Sequence, residues 1–140
     1  MTSPLVRTME ADTVGCAAAT DQVTIIGRAP YAGVVTSVEY IPEASVTGLT
    51  LATASRTYTV RNRGTSAASG TGSVSVATLI NAVSGTSQFD LVDNVPISFT
   101  LATAANLALV SGDVLELMSD HTTTGVADPG GKIIVTYARS

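Results

Sequence analysis

From Gln22 onward, short runs of β-branched and aliphatic residues alternate with clusters of turn formers. Gln22–Arg28 (QVTIIGR) is rich in β-branched residues and is ended by Ala29-Pro30. Gly33–Ile41 (GVVTSVEYI) alternates: Val34, Thr36, Val38 and Tyr40 are expected on one face, Ser37 and Glu39 on the other. Pro42 stops that strand. Arg56–Arg63 (RTYTVRNR) is expected to turn Tyr58 and Val60 inward and Thr57, Thr59, Arg61 and Arg63 outward. Gly64–Gly72 reads as a flexible hairpin connection, and Ser73–Ile80 alternates again through Val74 and Val76. Pro96–Leu101 is a short strand opened by proline, and Asp113–Ser119 and Lys132–Ala138 close the chain. Ser111-Gly112-Asp113 and Asp128-Pro129-Gly130-Gly131 are the turns expected to feed these last two strands.

Short strands with Gly, Pro and Asn punctuation, and no sustained helical period, predict an all-β fold. The expected form is a jelly-roll-like antiparallel β-sandwich. Residues 1–20 show no periodicity and are expected to form an extended N-terminal arm, with the β domain at 21–140. The sequence TLATA occurs at Thr50–Ala54 and Thr100–Ala104, but its flanks differ, and two short copies do not make a repeat architecture.

Composition narrows the function classes. The net charge of −4 argues against nucleic-acid binding, which would call for a basic face. No apolar run approaches the ~20 residues of a membrane-spanning helix, so no membrane partner is expected. The opening residues lack a basic segment followed by an apolar stretch and do not read as a signal peptide. Charged residues make up 13% of the chain, about half the ~25% usual for soluble domains. Either much of the surface is covered in an assembly, or it is simply neutral and rich in hydroxyls.

Candidate chemistry is sparse. The one histidine, His121, lies in the polar segment Ser119–Gly125 next to Asp120, with Asp113, Glu116 and Asp128 within ten residues. A hydrolytic triad needs a presented nucleophile, and no G-x-S-x-G elbow exists. Asp120 and His121 are adjacent and would diverge on a strand, so they make a poor metal pair. Asp90 and Asp93 could form a weak calcium site or could cap turns through their own side chains. The lone cysteine, Cys16, excludes an intrachain disulfide. Gly64–Gly72 lacks the ending of a phosphate-binding loop. Arg61 and Arg63 form a small basic spot beside it and share a strand with Arg56; these arginines are read either as a dock for an acidic partner or as a solvated strand face. Without tryptophan, and with only Tyr31 placed on a loop, the chain is a poor sugar binder. No enzyme, cofactor or small-molecule substrate is expected.

Three segments carry a resemblance: Asp21–Gly48, Arg56–Leu79 with its Asn-Arg-Gly turn, and Leu109–Tyr137 with Gly-Asp before one strand and ADPGG before the last. Together they resemble a family of actinobacteriophage head decoration, or capsid cement, proteins over about residues 21–138. The resemblance implies a jelly-roll-like domain, commonly a homotrimer, bound to the major capsid protein on the outside of the head. It brings no catalytic motif. On this expectation the protein is made in the host cytoplasm and resides on the virion. A trimer would bury outward apolar residues such as Val35, Ile41 and Met118, each contributing roughly 1.5–3 kcal/mol if fully covered. The arm, with Pro4, Leu5, Val6 and Arg7, would lie in a capsid groove or add a strand to an edge. The alternative expectation is a head-fibre or receptor-binding tip domain.

Overall fold

The computed structural model describes residues 5–48, 54–65, 68, 74–82 and 90–140. Along the chain lie β1 (Val6–Thr13), β2 (Gln22–Arg28), β3 (Gly33–Pro42), β4 (Ala54–Asn62) and β5 (Val74–Asn81). The short β6 (Ile97–Ser98), β7 (Thr100–Leu101), α1 (Ala104–Leu107) and β8 (Ala108–Leu109) follow, then the long β9 (Val114–Thr123) and β10 (Gly131–Arg139). Two antiparallel sheets pack together as an all-β sandwich. One runs β1-β10-β3-β6, with β8 also on β3, and the other runs β2-β9-β4-β5-β7. The chain changes sheet at nearly every step, so most pairings join strands distant in sequence. No helix among the described residues is long and apolar enough to cross a membrane.

The alternation read from the sequence fills the space between the sheets. Val38, Tyr40, Ile133, Val135 and Tyr137 of the first sheet meet Tyr58, Val60, Leu79, Leu115 and Leu117 of the second, all of them buried. Tyr40 and Tyr58 touch across the layer, with ring centroids 5.1 Å apart. Met9 closes one side, its sulfur 3.1 Å from where a Cβ on Gly27 would stand, so the glycine leaves room for the thioether.

Three expectations need correction. The first concerns β3. Thr136 pairs with Ser37 and Tyr137 with Val35, which leaves Thr36 as the extra residue of a bulge. The bulge reverses the alternation, so that Val35 (1% exposed) joins Val38 and Tyr40 in the core while Val34 faces out. Val35 is therefore a core residue, not an outward one available to a partner subunit. The second concerns the arm. Residues 6–13 form β1, paired with β10 along their whole length, so the boundary at residue 20 does not separate this segment from the sandwich. Its pattern was faint because Met9 is the only large apolar side chain it buries. The third is that β9 continues through Thr123, which places His121 on a strand and not in the connection after it. Pro4 and most of the Gly64–Gly72 connection lie outside the described residues.

Candidate functional site

Strand direction gives the sandwich two unlike ends. β1 and β3 begin, and β2, β4 and β10 finish, at one end; β9 begins there too. We call this the arginine end, and the opposite one the acidic end.

The densest polar cluster lies inside the acidic end. Arg56 is fully buried, on the same face of β4 as Tyr58 and Val60. Its Nε donates to the Val126 carbonyl (2.8 Å) and Nη1 to Ser119 Oγ (3.0 Å). Nη2 faces the carbonyls of Ala17 (3.1 Å), Ala18 (3.1 Å) and Thr20 (2.9 Å). Ser119 in turn donates to Asp128 Oδ2 (2.7 Å), so a hydroxyl bridges the buried cation to a buried carboxylate. Asp128 also accepts from Tyr40 (3.2 Å), Gln22 (3.2 Å) and the Gly130 amide (3.0 Å). Gln22 also donates to the Val14 carbonyl, and the Thr13 hydroxyl meets that of Tyr40. Burial first, and then the charge of Asp128, pushes the phenols of Tyr40 and Tyr58 well above their ordinary value.

This network fastens two irregular segments, 14–20 and 124–130, to the sandwich. Backbone pairing of Cys16 with Asp128 completes the seam. Gly125, at φ 68°, has no room for a side chain, because a Cβ would stand 2.0 Å from the Ala18 carbonyl oxygen. The guanidinium is taken up entirely by internal acceptors, so the cluster acts as a clasp and offers nothing to a ligand. The sequence carried its signal in the parity of β4: Arg56 and Thr57 cannot both face outward, and Arg56 shares the register of Tyr58.

The other candidate residues disperse. His121 is half-buried, and its Nδ1 lies 2.6 Å from Asp21 Oδ1, which also accepts the His121 amide. These two hydrogen bonds, the amide first, hold the Asp21 carboxyl below its usual range, whereas burial, and then the charge of Asp21, raises Asp120. Asp113 accepts from Asn62 and from the Val110 amide and so shapes the turn before β9. Glu116 is buried, with Arg63 Nη1 3.8 Å away. Asp90 Oδ1 caps the Gly48 amide, and the Asp93 amide donates to Ser45. Among the described residues, no three His, Cys, Asp or Glu stand together as metal ligands, and there is no pocket. Arg56 is thus parted from Arg61 and Arg63, which lie at the other end of β4.

The outer face of the first sheet carries charge in its middle rows, Glu10-Ile134-Glu39 and then Asp12-Lys132-Ile41, and is apolar toward the arginine end. Val6, Ala138, Val34 and Ala108 are cross-strand neighbours outside the first sheet, with Thr8 and Thr136 in the next row. Val23 and Ile25 are 40% and 46% exposed outside the second sheet, beside half-buried Met118. Ile41 lies outside the first sheet, so Ile41 and Met118 occupy opposite faces of the sandwich.

Charge is sorted by end. Arg7, Arg28, Arg61, Arg63 and Arg139 all lie in the arginine half, against the two acids Asp113 and Glu116, a formal +3. The acidic half holds Glu10, Asp12, Glu39 and Glu43 along the first sheet. It also holds Asp21, Asp90, Asp93, Asp120 and Asp128 on the second sheet and the loops. Only Arg56 and Lys132 oppose these nine acids, a formal −7, which with +3 makes the −4 of the chain. Comparison with protein-family models, with curated proteins and with solved structures found no match to this chain.

Proposed function

We propose that this chain is a capsid decoration protein of a bacteriophage head, which binds the outer capsid surface as a homotrimer and bridges neighbouring capsid subunits. The observation that carries this reading is the exposure of Val6 and Val34 on one outer face, and of Val23 and Ile25 on the other, of a sandwich that has no cleft among its described residues. A threefold ring uses a heterologous contact, in which each subunit offers one patch to one neighbour and a different patch to the other. Ile41 and Met118, on opposite faces, suit that arrangement, whereas a single twofold contact would cover only one of the two faces. Burial of such side chains holds the ring together, and three attachment points raise avidity without a strong single contact. The protein then acts mechanically, making separation of capsid subunits costlier.

The test is a solution mass together with a binding assay. Light scattering should give three chains per particle, and the protein should co-sediment with phage heads assembled without it. A one-chain mass with no binding to heads would overturn the reading. Binding to host cell walls but not to heads would instead favour a head-fibre or receptor-binding tip.

A further inference from the structure

We propose that the arginine end is the face that docks, and that its partner is a protein surface rich in carboxylates; this rests on the decoration reading, in which that surface belongs to the capsid. Arg7, Arg28 and Arg139 are exposed, and none is engaged in an ion pair with the described acids. The two acids of that half are buried, Asp113 bonded to Asn62 and Val110, and Glu116 beside Arg63. No exposed Asp or Glu side chain of this half therefore offsets the three guanidinium groups.

Apolar side chains surround them. Leu5 (47% exposed), Val6 (56%) and Val110 (60%) are the most open at this end. The Arg139 guanidinium lies 5.2 Å over the ring of Tyr31, which itself packs on Tyr137. Arginine and tyrosine are what protein interfaces concentrate, and Asp, Glu and Lys are what they deplete. The acidic end also exposes aliphatic side chains, Val14, Val92 and Val95, but sets them among carboxylates. A nucleic acid would meet the same arginines, but it would gain little from the apolar rim and would be repelled by the −7 half.

The segregation also fixes polarity. Against a carboxylate-bearing surface, the arginine end is attracted and the acidic end repelled, so a subunit presented upside down does not seat. Guanidinium groups pair with carboxylates through two parallel N–H bonds, which fixes orientation as well as charge. Three chains related by a threefold axis that runs along the strands would present three such ends together.

The experiment measures co-sedimentation of the full chain with phage heads assembled without it, between 50 and 300 mM salt. Wild type should lose about tenfold or more in affinity over that range, as charge-steered contacts do. The triple variant R7E/R28E/R139E should bind about 100-fold more weakly. R7Q/R28Q/R139Q should fall between the two, with unfolding curves confirming that both variants fold. D12K/E43K/D93K, at the other end, should bind as wild type does. Equal binding by the wild type and the arginine variants overturns the docking face and leaves the decoration reading standing. If wild type does not bind heads at all, both fall. Tighter binding to duplex DNA than to heads overturns the protein partner.

Discussion

A guanidinium sealed inside a sandwich is costly unless each N–H finds an acceptor, and Arg56 meets that condition with one hydroxyl and a ring of carbonyls. Removing it leaves Asp128 buried without its bridged cation and takes a donor from the Val126, Ala17, Ala18 and Thr20 carbonyls. Arg56→Met should therefore lower unfolding stability by about 3–5 kcal/mol in a denaturant titration. Arg56→Lys should also destabilise, because three donors on a flexible stem cannot replace a planar fork.

The titratable neighbours at this end pull in opposite directions. Asp21 has a lowered carboxyl pKa in the folded state, so its contribution is present above the ordinary Asp value and fades as pH falls through the folded one. Asp120 is raised, so the folded state holds its proton longer and stability falls as pH rises through that window. Asp21→Asn should lower the midpoint at pH 7 and have little effect at pH 2. Asp120→Asn should raise it at pH 7, and thermal melts across pH 2–7 separate the two effects. Above the ordinary phenol value of about 10, the raised pKa values of Tyr40 and Tyr58 predict progressive loss of stability.

Between elements, pairing decides what alternation cannot. Most strands were legible, since turn residues bound them and β-branched residues fill them; β2 spans the expected residues. The face of Val35 was not legible, because the bulge that reverses it depends on how β3 meets β10, a partner about 100 residues away. Truncation tests this directly. Val35→Ala should cost about 1–3 kcal/mol, and Val34→Ala less than about 0.5 kcal/mol. The first strand was illegible for a different reason: its eight backbone pairings hold it in place, and its side chains contribute little pattern. Removing residues 1–13 should bare the β10 edge, and the truncated chain should aggregate where the full chain does not, a difference light scattering would show.

For the whole molecule, the sequence disclosed the amount of charge but not its arrangement. Five arginines scattered from residue 7 to residue 139 become one end only when strand order and direction are known. The lone histidine, the acids near it and the glycines that follow look like a site in one dimension. In three dimensions they part: His121, Asp128 and Gly125 lie along the seam closed by Arg56, and Asp113 and Glu116 belong to the arginine end. In the decoration reading, His121→Ala should leave head binding unchanged in the co-sedimentation assay.

The pairing of β1 with β10 has a further consequence. The Arg139 amide bonds to the Leu5 carbonyl, so the first and last strands meet side by side at one end of the sandwich. Tension applied between residues 5 and 139 would peel the β1–β10 ladder open like a zipper, one hydrogen bond after another, and would not shear it as a unit. A chain tethered in this way yields at low force. If it is to resist pressure, the load must enter through its faces and ends as compression and contact, and not along its backbone. The same adjacency lets a short linker join the two ends, so that new termini could be opened in a loop of the acidic end while the arginine end stays intact.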